Sequence, residues 1–256
     1  MAINRTPLEG RVALVTGAGR NIGRAIAIAL AEAGAKVTVN VRASQDEGRS
    51  VVDEIAARGG EALLAMADIT NRAQVDAMVG EVAQRWGRLD ILVNNAALRR
   101  EAAFGELSYG EWRAAMDVCV DGAFHCTQAA LPWLRSSGAG AVINIGGMTA
   151  YTGAAMRAHV VTAKAAIAGL TRALAHELAE SGITVNCVAP GLIDTVRSPA
   201  SSGGAQPKHH ATHATLVGRR GHVEEIAAAV VWLAGPDARF ATGQTLHVNG
   251  GAYLGG

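Results

Sequence analysis

The sequence predicts an α/β fold in which one doubly wound parallel sheet carries helices on both faces. Two observations predict it. Short apolar runs that read as buried strands alternate with longer amphipathic stretches that read as helices, with no internal repeat and no linker between them. The first strand and first helix are joined by a glycine-rich turn, Thr16-Gly17-Ala18-Gly19-Arg20-Asn21-Ile22-Gly23. In such a sheet the crossovers are right-handed, and ligands lie at the carboxyl ends of the strands.

The elements follow in order. Val12–Val15 is apolar throughout, as a strand covered on both faces is. After the turn, Ile22, Ile26 and Leu30 recur four apart, so that helix packs one face. Strand, glycine-rich turn and helix together build a phosphate site. Missing Cβ atoms let the backbone approach a pyrophosphate, and the helix N-terminus offers unpaired N–H groups and a partial positive charge. Gly34-Ala35 stops the helix, and Lys36–Val41 reads as the second strand. A helix over 45–59 ends at Gly59-Gly60, and a third strand spans 62–67. The helix over 71–86 is closed by Gly87, before a fourth strand at 89–93. Residues 108–135 read as largely helical, with Pro132 near the end. Ala141–Ile145 is the fifth strand, 157–181 a long helix ending at Gly182, and 184–189 the sixth strand.

Composition limits the function. Half of the 256 residues are hydrophobic, only 4% are aromatic, and 31 are glycine. That suits an Ala/Val/Gly-rich interior of closely packed elements. The formal net charge is +1, with no basic stripe, so nucleic acid is not an expected partner. No apolar run is long enough to span a membrane, and residues 1–10 have no apolar signal region. Cys119, Cys126 and Cys187 form no CxxC pair and read as buried thiols, so a cytoplasmic location is expected.

The end of the second strand bears on cofactor choice. An acid there would bond the adenosine ribose of NAD and repel a 2′-phosphate. Here Val41 and Arg42 follow, with no acid until Asp46, and Arg20 lies in the phosphate turn. Two guanidiniums favour NADP(H) over NAD(H) through charge-assisted contacts. Asp68, ending the third strand beside Ile69, is placed either to meet the adenine or to cap the next helix. Residues 196–217 form an irregular Ser/Gly/Pro-containing loop that ends in His209-His210-x-x-His213. With no acidic or cysteine ligand nearby, no metal site is expected there.

Several motifs resemble the short-chain dehydrogenase/reductase family. They are the Thr16–Gly23 turn, Asn94-Asn95-Ala96-Ala97, Lys164, Pro190-Gly191-Leu192-Ile193-Asp194-Thr195, and the closing segment from Thr242 to Gly251. Asn21 stands where the family often has a glycine, a substitution compatible with the turn because Asn tolerates positive φ. The resemblance implies one Rossmann-type domain over 1–256 with a seven-stranded sheet, a substrate lid at 196–217, and a small-molecule substrate. It also implies assembly as a homodimer or homotetramer. Nucleotide contacts are then expected from Gly17, Arg20, Asn21, Ile22, Gly23, Arg42, Asp68, Ile69, Asn94, Ala96, Lys164, Pro190, Gly191, Ile193 and Thr195.

The family's catalytic pattern is broken in this sequence. Tyr-x-x-x-Lys keeps Lys164, but Val160 stands at the Tyr position. Gly147 stands at the Ser position and Cys119 at the Asn position. A positioned general acid contributes about 10²–10⁴ in rate, so a substitute is needed if hydride transfer occurs. The candidates are His159, beside Val160, and Tyr151, in the loop after the fifth strand. His159 lies about 100° round the helix from residue 160. An imine substrate would need the acid less. The alternative is a nucleotide-binding homologue with a structural or regulatory role and no turnover.

Overall fold

The computed structural model describes residues 6–196 and 214–255. Its strands are β1 (Val12–Val15), β2 (Lys36–Val41), β3 (Ala62–Met66), β4 (Ile91–Asn94), β5 (Ala141–Ile145), β6 (Thr184–Pro190) and β7 (Thr245–Val248). They form one seven-stranded sheet in the order β3-β2-β1-β4-β5-β6-β7, with every pair parallel. The order reverses between β1 and β4, and that switch point opens a crevice at their carboxyl ends. The single Rossmann-type sheet expected from the sequence is therefore present.

Side-chain alternation along β1 explains the layers. Ala13 and Val15 face one core, and Val12 and Leu14 face the other. The first core is covered by α1 (Asn21–Glu32), α2 (Gln45–Ala57) and α8 (Val223–Ala234), which contribute Ile26, Ile55 and Ile226. The second is covered by α3 (Arg72–Trp86), α5 (Gly122–Ser136) and the far end of α7 (Ala158–Glu177), through Val79, Leu134 and Ala175.

Two elements depart from the sequence reading. The helical stretch at 108–135 is two helices, α4 (Tyr109–Met116) and α5, joined by a π-helical segment, Asp117–Asp121, that contains Cys119. Here the chain runs hard against the turn after β3: a Cβ on Gly122 would fall 2.5 Å from Ile69 Cδ1. The helix expected to 181 ends earlier, and a 3₁₀ turn, Ala179–Ser181, leads into left-handed Gly182. A short α6 (Thr149–Thr152) follows β5. All three cysteines are free and buried, and burial pushes the Cys126 thiol up to about 12, which leaves it inert at neutral pH.

Asp90 ties the start of β4 to the start of β1, its neighbour in the middle of the sheet. It is fully buried, accepts the Val12 N–H at 2.9 Å, and takes two bonds from half-exposed Arg88 at 2.8 and 2.7 Å. Burial pushes its carboxyl up, but the bonds from Arg88, Ser137 and Val12 together outweigh that and hold it below the ordinary carboxylate value. Asp90→Ala should cost about 2–3 kcal/mol, chiefly by orphaning the Val12 N–H. Because the folded-state value is depressed, this contribution is fully present above about pH 4 and is lost as pH falls further, through the folded value. Urea melts of both proteins across that range check it; an undiminished difference at low pH would contradict it.

Among the described residues, no helix is long and apolar enough to cross a membrane. Nor does any group of three or more His, Cys, Asp or Glu gather to hold a metal ion among them. His209, His210, His213 and most of the expected lid lie outside the described residues.

Candidate functional site

The phosphate turn is built by close approach. Gly17 has φ +62° and Asn21 φ +49°, the left-handed conformation for which Asn is suited. A Cβ on Gly23 would lie 2.3 Å from the Gly17 carbonyl oxygen and 2.5 Å from Asn95 Nδ2. Thr16 and Asn95 lock the turn to the end of β4. Thr16 Oγ1 accepts the N–H groups of Asn95 (2.9 Å) and Ala96 (3.1 Å), and Asn95 Nδ2 donates to the carbonyls of Thr16 (2.9 Å) and Gly17 (3.0 Å). No side chain caps α1, and its first turn carries no acid. Its leading N–H groups and dipole are thus left for an anion. Across the turn, Asn21 exchanges two hydrogen bonds with the Val196 backbone, both at 2.9 Å.

Two cavities adjoin this turn. The larger, about 240 Å³, is lined by Gly17, Arg20, Asn21, Ile22, Gly23, Arg42, Asp68, Ile69 and Ala96. The smaller, about 100 Å³, is lined by Lys164, Pro190, Gly191, Ile193 and Thr195, and also by Gly147, Thr149, Arg157 and Val160. Ile22, Asn95, Ala97 and Arg99 line both, so the two form one continuous crevice. A dinucleotide fits this arrangement: the anion-ready turn sits between the two halves, and a Cβ at Gly23 would obstruct it.

The polar walls have specific partners. Arg20 faces Glu47 at 3.5 Å, with both side chains well exposed. Asp68 Oδ1 accepts from Thr70 N (2.9 Å) and Oγ1 (2.8 Å). It is not the cap of α3; that role belongs to Asn71, which accepts the Gln74 N–H at 3.2 Å. Lys164 Nζ is buried and donates to the Ile145 carbonyl at 2.5 Å. Burial pulls its pKa below the ordinary lysine value, and the positive charges of Arg99 and Arg157 lower it further.

Residues 17–253 match a family model described as Enoyl-(Acyl carrier protein) reductase. The chain is 40% identical over 242 residues to 3-oxoacyl-(acyl-carrier-protein) reductase FabG of Staphylococcus aureus, covering 94% of this chain and 98% of that one. The chain belongs to the short-chain dehydrogenase/reductase family. Solved structures agree. A short-chain dehydrogenase from Burkholderia cenocepacia in complex with NADP superposes with TM-score 0.88 at 35% identity, covering 96% of this chain and 99% of that one. A blue fluorescent protein from a metagenomic library in complex with NADPH does so with TM-score 0.88 at 34% identity, covering 97% and 100%.

Three positions singled out in the sequence face the smaller cavity or lie close by. Val160 lines it one helical turn before Lys164, and Gly147 lines it with open space: an added Cβ would meet only Lys164 Cγ, at 3.9 Å. Cys119 is buried in the π-helical segment, near Lys164.

Three expected site residues point elsewhere. His159 is buried on α7 but lines neither cavity; burial lowers its pKa, and a bond to the Arg100 backbone opposes that. Its helical offset from Val160 turns it away. Tyr151 donates to Thr245 Oγ1 at 3.0 Å, meets the His247 ring edge-on at 4.6 Å and stacks on Tyr253 at 5.6 Å, all on the β7 side. Asn94 lines neither cavity, and its Nδ2 donates to Asn144 Oδ1 at 2.8 Å and Thr127 Oγ1 at 3.2 Å inside the sheet.

Among the lining residues that sequence reading missed are Asn95, Arg99 and Arg157. Asn95 was visible in the Asn94–Ala97 motif, since side chains alternate at a strand's end and its neighbour points the other way. No local signal marks Arg99 or Arg157.

Proposed function

We propose that this protein is an NADP(H)-dependent oxidoreductase that exchanges a hydride with a carbonyl, hydroxyl or imine carbon of a small molecule. The observation that carries the reading is the continuous crevice, in which the cavity that holds the phosphate turn and the cavity that holds Lys164 are joined by shared walls. NADPH, when bound, supplies the hydride. Arg20 and Arg42 favour a 2′-phosphate, and the relatives solved with NADP and NADPH support the same choice. Pro190, Gly191, Ile193 and Thr195 would hold the nicotinamide end, with Asp68 and Ile69 at the adenine end.

The proton comes from a group on the cavity wall. His159 and Tyr151 do not lie there; Lys164 does. Its depressed pKa makes the Nζ ammonium a stronger acid than an ordinary lysine. Lys164 Nζ therefore gives a proton to the developing alkoxide or amine, and Thr149 and Arg157 orient the substrate. Val160 and Gly147 favour a second reading, a nucleotide-binding protein that does not turn over.

A fluorescence titration with NADPH and NADH, followed by a substrate screen, separates these. Tighter NADPH binding is expected, with Arg42→Ala removing most of the preference. Reduction should slow as pH rises through the lowered Lys164 value, and Lys164→Met should abolish it while His159→Ala and Tyr151→Phe retain it. NADPH binding without any turnover would favour the second reading. Failure to bind either nucleotide would remove both.

A further inference from the structure

One side chain fastens the phosphate turn to the wall of the neighbouring cavity. Asn21 Nδ2 donates to the Val196 carbonyl and Asn21 Oδ1 accepts the Val196 N–H, both at 2.9 Å and across 175 residues of chain. One amide thus meets both polar groups of one peptide residue, the exchange made by a hydrogen-bonded pair on antiparallel strands. Only a side-chain amide sets a donor and an acceptor side by side in this way. Asn also accepts the φ of +49° found at this position. Glycine accepts that φ as well, but it has nothing with which to hold Val196.

The clasp joins the two halves of the crevice. Asn21 lines the larger cavity, and Pro190, Gly191, Ile193 and Thr195 line the smaller one. Backbone bonds secure that second wall as far as Asp194: the Gly221 N–H donates to the Leu192 carbonyl and the Asp194 N–H to the Gly221 carbonyl, each at 2.9 Å. Residues 194–196 belong to no helix or strand. The Val196 side chain is 82% exposed, so packing does not hold it, and among the described residues Asn21 supplies its hydrogen bonds. Thr195 lies between these two anchors. We infer that Asn21 is a positioning residue: by clasping Val196 it fixes Thr195, at the proposed nicotinamide end, relative to the phosphate turn. This rests on the proposed oxidoreductase reading and deepens it. A wall ordered before the nucleotide arrives spares that ordering cost on binding. The pyrophosphate end does not need the clasp, because Thr16 and Asn95 lock the turn separately.

Two measurements on the full chain test it, with Asn21→Gly and Val196→Pro as variants. Glycine keeps the left-handed conformation and removes the amide; proline removes the N–H from the other side and leaves the turn unaltered. Without nucleotide, hydrogen exchange at the Val196 amide should be slowed at least about tenfold relative to an unstructured peptide, and Asn21→Gly should lose that protection. Calorimetry then compares NADPH with 2′-phospho-ADP-ribose, the same molecule without its nicotinamide. Each variant should weaken NADPH about tenfold and the fragment less than about twofold. The double variant should cost no more than either single one, since both break the same clasp. A merely structural loss would weaken both ligands together. An unprotected Val196 amide in the unaltered chain, parallel losses for the two ligands, or no loss of NADPH affinity in either variant would overturn the inference. A chain that binds NADPH with the same ratio to the fragment in every variant loses this inference and keeps the proposed function. A chain with a protected Val196 amide that binds neither ligand loses the proposed function, and the inference with it, although the clasp itself is made.

Discussion

Val160→Tyr combined with Gly147→Ser is expected to raise NADPH-dependent reduction of a neutral ketone by about 10²–10⁴-fold, the contribution of a positioned general acid. Both positions line the smaller cavity, and the tyrosine would stand one turn before Lys164, with its hydroxyl beside the ammonium. Space exists for the serine, because a Cβ at Gly147 meets nothing closer than 3.9 Å. The next position back would not serve, since a Cβ at Gly146 would fall 2.7 Å from Cys187 Sγ. Val160 is only 2% exposed, so the larger ring carries an overpacking cost of about 1–3 kcal/mol. Val160→Phe with Gly147→Ser controls for that bulk and should show no gain. The two substitutions act as a unit, and neither alone should deliver its proportionate share. NADPH consumption with a series of neutral ketones is the readout. No gain in a variant that still binds NADPH would mean that the cavity does not present a carbonyl to the nucleotide.

Gly23→Ala should weaken NADPH binding by about 100-fold, equivalent to roughly 2.7 kcal/mol. The added methyl would lie 2.3 Å from a backbone oxygen, that of Gly17, and 3.0 Å from Ala18 Cα. Neither can rotate away, so the turn itself must open, and the N–H groups presented to the pyrophosphate shift with it. The Asn95 bonds to Thr16 and Gly17 would be disturbed too, since the methyl reaches 2.5 Å from Asn95 Nδ2. Gly19→Ala is a graded comparison: its Cβ meets Val41 Cγ1 at 3.0 Å, a side-chain atom with room to give. Fluorescence titration reads the affinity and thermal melting reads the fold. Near-normal NADPH affinity in Gly23→Ala would show that the pyrophosphate does not rest on this turn.

What the sequence determined by itself was local. The strand and helix periods, the Thr16–Gly23 turn and the positive φ tolerated by Asn21 depend on neighbours within a few residues, so they are visible in the order of residues. The placement of Val160 one turn before Lys164 was equally visible, because the two share one helix at fixed spacing. Tertiary structure decided which polar groups look into the crevice. Alternation at the end of β4 sends Asn94 into the sheet and Asn95 to the turn, and only pairing with β5 tells which face is which. Tyr151, read from the sequence as a loop residue, lies on α6, and packing against His247, Thr245 and Tyr253 takes it to β7. The helical stretch at 108–135 carries a π-helical segment that ends at Gly122, where Ile69, distant in sequence, leaves no room for a Cβ. Arg99, Arg157 and Lys164 meet because parallel crossovers return separate segments to the same sheet end. A charge cluster made that way has no period and no motif, since long-range packing alone brings its members together.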